Sequence, residues 1–338
     1  MIQVDLNEAS SQRWRLTAEQ RDQARELMQL YRHDVGVDYK LASFLVDAAS
    51  FVIRPDYWAE MESLASQADV PFADVVVCNC YYDILKVIWG CTAFAVQTDD
   101  GPILHGRNLD WWTENGLLER YSTECRFING PAGEFSTIGW PGFIGAFSGL
   151  APGRFAVTLN AVLSSDRSAI AEPVVFQLRT LLEQAGGFDE AKRALIGNPL
   201  PCDCLLLLSG IDKGDAVVIE RTPSRSATRE LGDANFICVT NGYHVLQPNH
   251  QPGISILEAT SCSRFDRITK LLSEAKPQTL DDCLRHLSDS EIRMNMTVQQ
   301  MAFCAATGDL AVRYPLHAAL RNAPPGETGI RARIPGIP

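Results

Sequence analysis

Hydrophobic residues recur at helical spacing through the first ninety positions of this 338-residue chain. Thr17 and Gln20 have the spacing of a capping box, and Leu27, Leu30 and Tyr31 follow at the period of a helix. The same periodicity predicts further helices over 39–51, 56–68 and 72–88. We therefore expect the amino-terminal segment to be helical.

The pattern changes at Cys91, where short apolar runs bounded by turn-forming residues replace the helical period. These runs predict strands over 91–98, 102–108, 124–129, 134–139, 144–149, 154–160, 203–209, 215–221, 235–240, 300–306 and 309–314. Two helical pairs interrupt them, at 172–184 with 188–196 and at 261–273 with 279–288. Such alternating blocks favour an α+β fold with helices outside two stacked sheets.

This change in pattern divides the chain into three parts. Residues 1–90 are predicted to form the helical amino-terminal segment, and residues 91–320 the β-rich body. Residues 321–338 are rich in proline and glycine, so we expect an extended or loose tail.

Charge and hydrophobicity narrow the classes of partner. The formal net charge is −11 and no dense run of lysine and arginine occurs, which disfavours nucleic acid. The longest apolar stretch, 75–96, contains Asn79, Asp83 and Lys86, so a buried helix followed by a buried strand fits better than a membrane span. The first residues show neither a basic leader nor an apolar signal core, and we expect a cytoplasmic protein.

The ten cysteines are expected to be mostly free thiols packed as small hydrophobic groups, because a reducing cytoplasm disfavours disulfides. The pairs Cys78/Cys80 and Cys202/Cys204 lack the usual zinc-ligand spacing and have no nearby histidine. A structural metal site is therefore not favoured.

The stretch WGCTAFAVQTDDGPILHGRNLDWW, residues 89–112, combines hairpin chemistry with reactive side chains. Asp-Asp-Gly-Pro at 99–102 supplies the turn between two strands. Across this hairpin, Arg107 and Asp110 return to the level of Cys91. A buried strand thiol beside a surface ion pair would show the same spacing, so the spacing alone leaves both interpretations open.

A cut between Gly90 and Cys91 would give the thiol an α-amino group as its own base. Such an amine has a pKa of about 7.7–8.0, so part of it is neutral at pH 7. The thiol is the strongest common side-chain nucleophile. Arg107 can stabilise the thiolate, and Asp110 can orient the α-ammonium group.

The pattern C-T-x(13)-G-R-N-x-D, from Cys91 to Asp110, closely resembles the amino-terminal nucleophile (Ntn) hydrolases of the acid ceramidase and N-acylethanolamine acid amidase group. Their wider relatives include the choloylglycine (bile salt) hydrolases and penicillin acylases. Further stretches resemble the same families in the expected order: CNCYYDILKVIWGCT (78–92), WPGFIGAFSGLAPGRFAVTLN (140–160), FICVTNGYH (236–244) and SCSRFDR (261–267). The resemblance covers about residues 75–314 and implies a four-layer αββα sandwich. It assigns Cys91 as the nucleophile, positioned by Arg107 and Asp110.

The resemblance also assigns supporting roles. Asn241 would donate its side-chain amide to a tetrahedral oxyanion, and the backbone N–H of Asn160 would be the second donor. Arg264 would support the site electrostatically. Without the resemblance, both asparagines also fit turns at strand ends, and Arg264 fits a solvated helix. Ala161 stands where acid ceramidase-like enzymes carry a glutamate, which moves the chain toward the broader family and leaves the detail of maturation open.

Together these roles predict a precursor that cleaves its own 90–91 bond, keeps the cleaved amino-terminal chain bound, and hydrolyses a linear N-acyl amide through an acyl-thioester on Cys91. A small-molecule substrate of ceramide or N-acylethanolamine type is expected, with no cofactor and no metal ion. Several residues flanking the site could line an acyl pocket or equally form core packing: Trp111, Trp112, Trp140, Phe143, Phe147 and Leu150. The alternatives are a bile-salt or penicillin-type amidase, an acyltransferase, and an uncleaved non-enzymatic binding protein. A homo-oligomer is left open.

Overall fold

Two stacked β-sheets form the centre of the computed structural model, which describes residues 1–35, 46–85, 90–111, 116–166, 169–247 and 256–315. The strands are β1 (Ile2–Asp5), β2 (Gly90–Gln97), β3 (Ile103–Asp110), β4 (Thr123–Ile128), β5 (Phe135–Gly139), β6 (Ser148–Ala151), β7 (Phe155–Asn160), β8 (Cys204–Ser209), β9 (Ala216–Arg221), β10 (Ser226–Glu230), β11 (Phe236–Val239), β12 (Thr297–Cys304) and β13 (Asp309–Arg313). One sheet has eight strands in the order β1-β4-β5-β6-β7-β8-β9-β10, and the other has five in the order β11-β2-β3-β12-β13.

Helices cover both outer faces of this pair of sheets. The helices of the described residues are α1 (Ala18–Val35), α2 (Pro55–Ala68), α3 (Phe72–Leu85), α4 (Leu117–Tyr121), α5 (Val174–Gln184), α6 (Phe188–Gly197), α7 (Ile256–Glu274) and α8 (Leu280–Leu287), with further helical residues at 46–50 and a 3₁₀ turn at Ser10–Gln12. Helices α5 and α6 pack on the larger sheet, and α7 and α8 pack on the smaller one. The predicted α+β fold with four αββα layers is confirmed.

The central hairpin β2–β3 is buried on both faces. Strand β2 is mostly apolar, whereas β3 also buries the polar side chains of His105, Arg107, Asn108 and Asp110. Ala93 and Ile103 face the other sheet and contact its core around Leu205. Phe94 and Leu104 point the opposite way, into the cluster formed with α7 and α8. The two-residue repeat of a strand therefore gives the hairpin one face toward the larger sheet and one toward the helices.

The prediction of a helical amino-terminal segment is wrong at its start, where a strand forms. Strand β1 pairs in parallel with β4 at the edge of the larger sheet, and it buries Ile2 and Val4. Four residues with two buried positions are too few to give a clear alternating pattern. The start of the amino-terminal segment is therefore part of the larger sheet.

The capping box predicted at the start of α1 is present. Gln20 N–H donates to Thr17 Oγ1 at 3.2 Å, and Thr17 N–H donates to Gln20 Oε1 at 3.0 Å. Of the helix predicted over 39–51, residues 39–45 lie outside the described residues, 46–50 are helical and 51 is in a turn. The predicted tail at 321–338 lies wholly outside them.

Two further differences have simple physical causes. The strand predicted over 144–149 begins only at Ser148, because Asn79 of α3 bonds the carbonyl of Gly142 at 3.0 Å and the N–H of Ile144 at 2.8 Å, holding this segment as a loop. Strand β10 was not predicted because its five residues, SATRE, are largely polar and lie on the sheet edge.

Candidate active site

Cys91 and Arg107 meet on the face of the smaller sheet that looks toward the larger one. Cys91 pairs with Leu109 and Ala93 pairs with Arg107, so the guanidinium lies diagonally across from the thiol. Arg107 Nη2 donates to Cys91 Sγ at 3.4 Å, and Nη1 donates to the carbonyl of Leu159 on β7 at 2.6 Å. Both side chains are buried, with exposed fractions of 1% and 0%. The larger sheet thus fixes the guanidinium against the sulfur.

Asp110 lies on the opposite face of the same hairpin, because strand residues alternate between faces. It pairs with Gly90 across the strands, and its Oδ1 accepts a 2.5 Å hydrogen bond from Thr297 Oγ1 of β12. Its Oδ2 has no hydrogen-bond partner within the described ranges. A methyl group on Gly90 would lie 2.8 Å from that oxygen, so a glycine is needed there. Asp110 therefore faces the backbone at 90–91, whereas Arg107 faces the thiol.

Burial and charge act in opposite directions on these groups. Burial raises the pKa of the Cys91 thiol above its ordinary value, while the positive charge of Arg107 acts against that rise. Burial also raises the pKa of Asp110, and Arg264, Thr297 and Arg107 oppose it. Arg107 lowers the pKa of the thiol, as predicted, but in the uncut chain burial raises that pKa by more.

Asn241 connects the backbone of Cys91 to the end of β7. Its Oδ1 accepts the Cys91 N–H at 3.0 Å, and its Nδ2 donates to the carbonyl of Ala161 at 2.8 Å. The backbone N–H of Ala161 in turn forms a hydrogen bond with the Cys91 thiol. Ala161 therefore contacts the site through its backbone.

Asn160 ends β7 beside the same sulfur. Its neighbour Leu159 has its carbonyl 3.8 Å from Cys91 Sγ. The Asn160 side chain turns to β11, where Nδ2 donates to the carbonyls of Val239 at 3.2 Å and Thr240 at 2.9 Å. Its Oδ1 has no partner in the described part of the chain. The side chain thus fixes the end of β7 against β11.

Arg264 reaches the site from α7 and touches three of its groups. Nη1 donates to the Cys91 carbonyl at 2.6 Å and to Thr92 Oγ1 at 3.0 Å, and Nη2 donates to Asn241 Oδ1 at 2.7 Å. One turn earlier, Ser261 Oγ accepts the Asn241 N–H at 3.0 Å. The helix face carrying Ser261 and Arg264 therefore holds Asn241 at both its backbone and its side chain.

Sequence reasoning missed three residues that contact these groups. Ser261 lies inside the quoted SCSRFDR stretch and Thr92 directly follows the nucleophile, so both were available as signals. Thr297 lies in a segment that carried no motif, and only the pairing of β12 with β3 brings it to Asp110.

The residues proposed to line an acyl pocket form a buried aromatic cluster next to Arg107. The ring centroid of Trp111 lies 5.5 Å from the ring centroids of both Trp140 and Phe147. The ring of Phe143 stacks on that of Phe147, with 5.1 Å between their centroids. The Phe147 carbonyl accepts from Arg107 Nη1 at 3.4 Å. Leu150 is also buried, and Trp112 lies outside the described residues. An apolar wall thus adjoins the thiol.

Free thiols, metal ligands and membrane-spanning helices are the other features of the described ranges that bear on function. All ten cysteines are free thiols, and Cys262 alone among them is exposed. Within those ranges no group of three or more His, Cys, Asp and Glu side chains is arranged to hold a metal ion. No helix in the described part of the chain combines the length and the apolar character that crossing a membrane requires.

Comparison with characterised proteins gives consistent matches. The N-acylethanolamine-hydrolyzing acid amidase of Caenorhabditis elegans is 28% identical over 239 residues, covering 65% of this chain and 66% of that protein. The acid ceramidase of Bos taurus is 25% identical over 190 residues, covering 49% of this chain and 47% of that protein. The chain thus spans about half to two thirds of the length of these relatives.

The solved structure of the C. elegans amidase ortholog shares the fold. It superposes with a TM-score of 0.53 at 25% identity, covering 65% of this chain and 94% of that one. These matches confirm the resemblance to the Ntn hydrolases of the acid amidase and acid ceramidase group. The family profile described as acyl-coenzyme A:6-aminopenicillanic acid acyl-transferase matches residues 96–317, and the chain belongs to that family.

Proposed function

We propose that this protein is a cysteine amidohydrolase that cleaves a linear N-acyl amide after cutting its own chain before Cys91. The observation that carries the proposal is that the sulfur of Cys91, its backbone nitrogen and the peptide before it each have a different partner. Arg107 contacts the sulfur of Cys91, whereas Asn241 holds its backbone nitrogen and the carboxylate of Asp110 faces the peptide that precedes it. A structural thiol would not need separate partners for its sulfur and its nitrogen.

In the proposed maturation step, the Cys91 thiol attacks the Gly90 carbonyl. The peptide C–N bond breaks as the C–S bond forms, and the proton from sulfur ends on the released α-amine. Water then hydrolyses the thioester, which gives a carboxylate on Gly90 and restores the thiol. Gly90 suits this step because Asp110 and Met294 leave no room for a side chain there.

In the proposed hydrolytic cycle, the freed amine of Cys91 accepts the thiol proton and later delivers it to the leaving amine. The sulfur bonds to the acyl carbon, and water releases the acid. Negative charge develops on the substrate oxygen, where the Asn241 side-chain amide and a backbone N–H at the end of β7 would stabilise it. The Asn160 N–H is the predicted second donor, and the Ala161 N–H also faces the sulfur.

We propose a substrate with a lipid-like acyl group, because the aromatic cluster beside Arg107 is apolar and carries no charge. The named relatives act on an N-acylethanolamine and a ceramide, which supports the same class. The experiment is a panel of fatty-acyl ethanolamides, ceramides and conjugated bile salts, with Cys91→Ala setting the background. Release of fatty acid above that background is expected, and equal release from both proteins would contradict the proposal.

Acyl transfer is a second candidate, favoured by the family profile, which is named for an acyltransferase. The same acyl-thioester would then pass to an amine instead of water. Adding an amine acceptor to the substrate panel separates the two outcomes, because transfer yields a new amide at the expense of free acid. The cytoplasmic location remains a prediction from the sequence, and the cleaved amino-terminal chain is the partner that the proposal requires.

A further inference from the structure

Thr297 contacts both groups that pack against Gly90. Its hydroxyl donates to Asp110 Oδ1 at 2.5 Å and accepts the backbone N–H of Met294 at 3.0 Å. A methyl group on Gly90 would lie 2.8 Å from Asp110 Oδ2 and 2.7 Å from Met294 Sδ. One buried hydroxyl therefore links the two walls of the slot that holds residue 90.

An irregularity in strand pairing accompanies this placement. Thr297 pairs directly with Asp110, whereas Gln299 pairs with Leu109, so Val298 is an extra residue on β12. Such bulges re-aim side chains at the ends of strands. Because directly paired residues share a face of the sheet, the bulge brings the Thr297 hydroxyl to the same side as the carboxylate.

The direction of the hydroxyl proton follows from its two bonds. Since the oxygen accepts from Met294 N–H, its single proton is left for Asp110 Oδ1. That bond occupies one carboxylate oxygen and leaves Oδ2, which has no partner among the described residues, facing Gly90. The buried carboxylate is thereby oriented toward the bond that the proposed maturation breaks.

We propose that Thr297 is a positioning residue that directs Asp110 Oδ2 first at the 90–91 peptide and then at the freed α-amine of Cys91. The inference rests on the proposed function and adds a residue that no sequence motif marked. Three other charged or titratable groups interact electrostatically with Asp110: Arg107 and Cys91 on the opposite face of the hairpin, and Arg264 on α7. The Thr297 bond lowers the pKa of Asp110 against the rise caused by burial.

The test compares Thr297→Val, which keeps the shape and loses the hydroxyl, with Thr297→Ser, which keeps the donor. Thr137→Val is the matched control, because Thr137 is a buried threonine on β5 whose hydroxyl bonds the Cys125 thiol in the other sheet. The readouts are the rate of cleavage before Cys91 by intact mass, kcat and KM taken separately, the pH profile, and the melting temperature.

Thr297→Val is expected to slow cleavage and lower kcat by about 10- to 100-fold, the effect of losing a hydrogen bond to a charged group. KM should stay within about threefold, because the hydroxyl contacts no substrate. The acid limb of the pH profile should move to higher pH, since Asp110 then protonates more easily. Thr297→Ser should restore the wild-type values, and Thr137→Val should lower only the melting temperature.

If Thr297→Val keeps the wild-type cleavage rate, kcat and pH profile, the positioning role of Thr297 is overturned, while the proposed function still stands. Equal defects in Thr297→Val and Thr297→Ser, or losses that merely follow melting temperature as in Thr137→Val, would have the same consequence. A wild-type protein that turns over substrate while uncut before Cys91 would overturn the proposed function and this assignment with it.

Discussion

Two buried polar clusters of this molecule differ in how fully their atoms are paired. The first, here the Glu60 cluster, consists of Arg13, Trp14, Glu60, Arg179 and Glu183. Glu60 Oε1 accepts from Arg13 at 2.9 Å and Arg179 at 2.8 Å, and Oε2 accepts from Trp14 at 2.7 Å and Arg179 at 2.5 Å. Each carboxylate oxygen therefore has two donors. Burial alone would lower the pKa of Arg179, but Glu60 raises it above its ordinary value.

The second, here the nucleophile corner, consists of Cys91, Arg107, Asp110, Asn160, Asn241 and Arg264. It is just as buried, yet Arg107 Nε, Asp110 Oδ2 and Asn160 Oδ1 have no partner within the described ranges. Unpaired buried polar atoms cost stability, so a fold retains them where another requirement applies. Full pairing is what we expect of a cluster that stabilises the fold, and the unpaired atoms of the nucleophile corner are what we expect if that corner has the proposed catalytic role.

The largest effect is expected from the sulfur itself. Cys91→Ala should abolish cleavage before residue 91 and reduce turnover by at least about 10⁴-fold, because it removes the proposed nucleophile. Its stability should change little. Cys125→Ala removes another buried thiol and should keep both activities. Intact mass measures cleavage of the chain, and a fatty-acid release assay measures turnover. Normal turnover by Cys91→Ala would contradict the proposed catalytic role of the nucleophile corner.

Glu60→Ala should have the converse effect. It leaves the Arg179 guanidinium buried without its main partner, which should lower the free energy of unfolding by about 3–5 kcal/mol. Glu134→Ala, which breaks the exposed pair with Arg126, should cost less than about 1 kcal/mol. Urea denaturation in a Cys91→Ala background keeps the chain whole for this measurement. Equal losses in the two variants would remove the distinction between the clusters.

Asn241→Ala should lower kcat by about 10²–10³-fold, with little change in KM, because it removes the proposed donor to the developing oxyanion. The matched control is Asn79→Ala, which removes another buried asparagine that holds the 142–144 loop. That variant should lose stability and keep most of its kcat. A similar kcat for both variants would assign Asn241 to structure only.

The smallest effect is expected from substituting Asp83, a carboxylate that is paired at one oxygen and unpaired at the other. Its Oδ1 accepts from Val174 N–H and from the Cys202 thiol, both at 3.2 Å, while Oδ2 has no partner in the described part of the chain. Burial raises its pKa to about 6. Because the folded pKa exceeds the unfolded one, the stability contribution is present at low pH and is lost as pH rises from about 4 to about 6.

Asp83→Asn should therefore flatten that part of the stability curve and remove about 2 kcal/mol of pH dependence. Urea denaturation at pH 4.5 and pH 7, again in the uncut Cys91→Ala background, makes the comparison. A slope unchanged by the substitution would place the titration on another group.

The fold could be predicted wherever sequence patterns were long. The β2–β3 hairpin, the two helical pairs and the change at Cys91 follow from periodicity and turn residues over eight or more positions. Strand β1 could not be predicted, because its partner β4 is more than a hundred residues away and four residues carry little periodicity. Long-range pairing supplies what the local pattern lacks.

The candidate site shows the same limit. Cys91, Arg107 and Asp110 are brought together by one hairpin, so their spacing was informative. Thr297 reaches Asp110 only through the pairing of β12 with β3, and its role depends on a bulge that no local pattern indicated. The missed contacts of Ser261 and Arg264 with Asn241 likewise need α7 to pack beside the end of β11.

The most direct measurement is mass spectrometry of active protein that has been quenched in acid during turnover of a fatty-acyl amide. We expect two chains, residues 1–90 and 91–338, with the acyl group on the sulfur of Cys91 and a free amine on the same residue. Full activity with an unbroken 90–91 bond, or an acyl group on any other residue, would contradict the proposed mechanism.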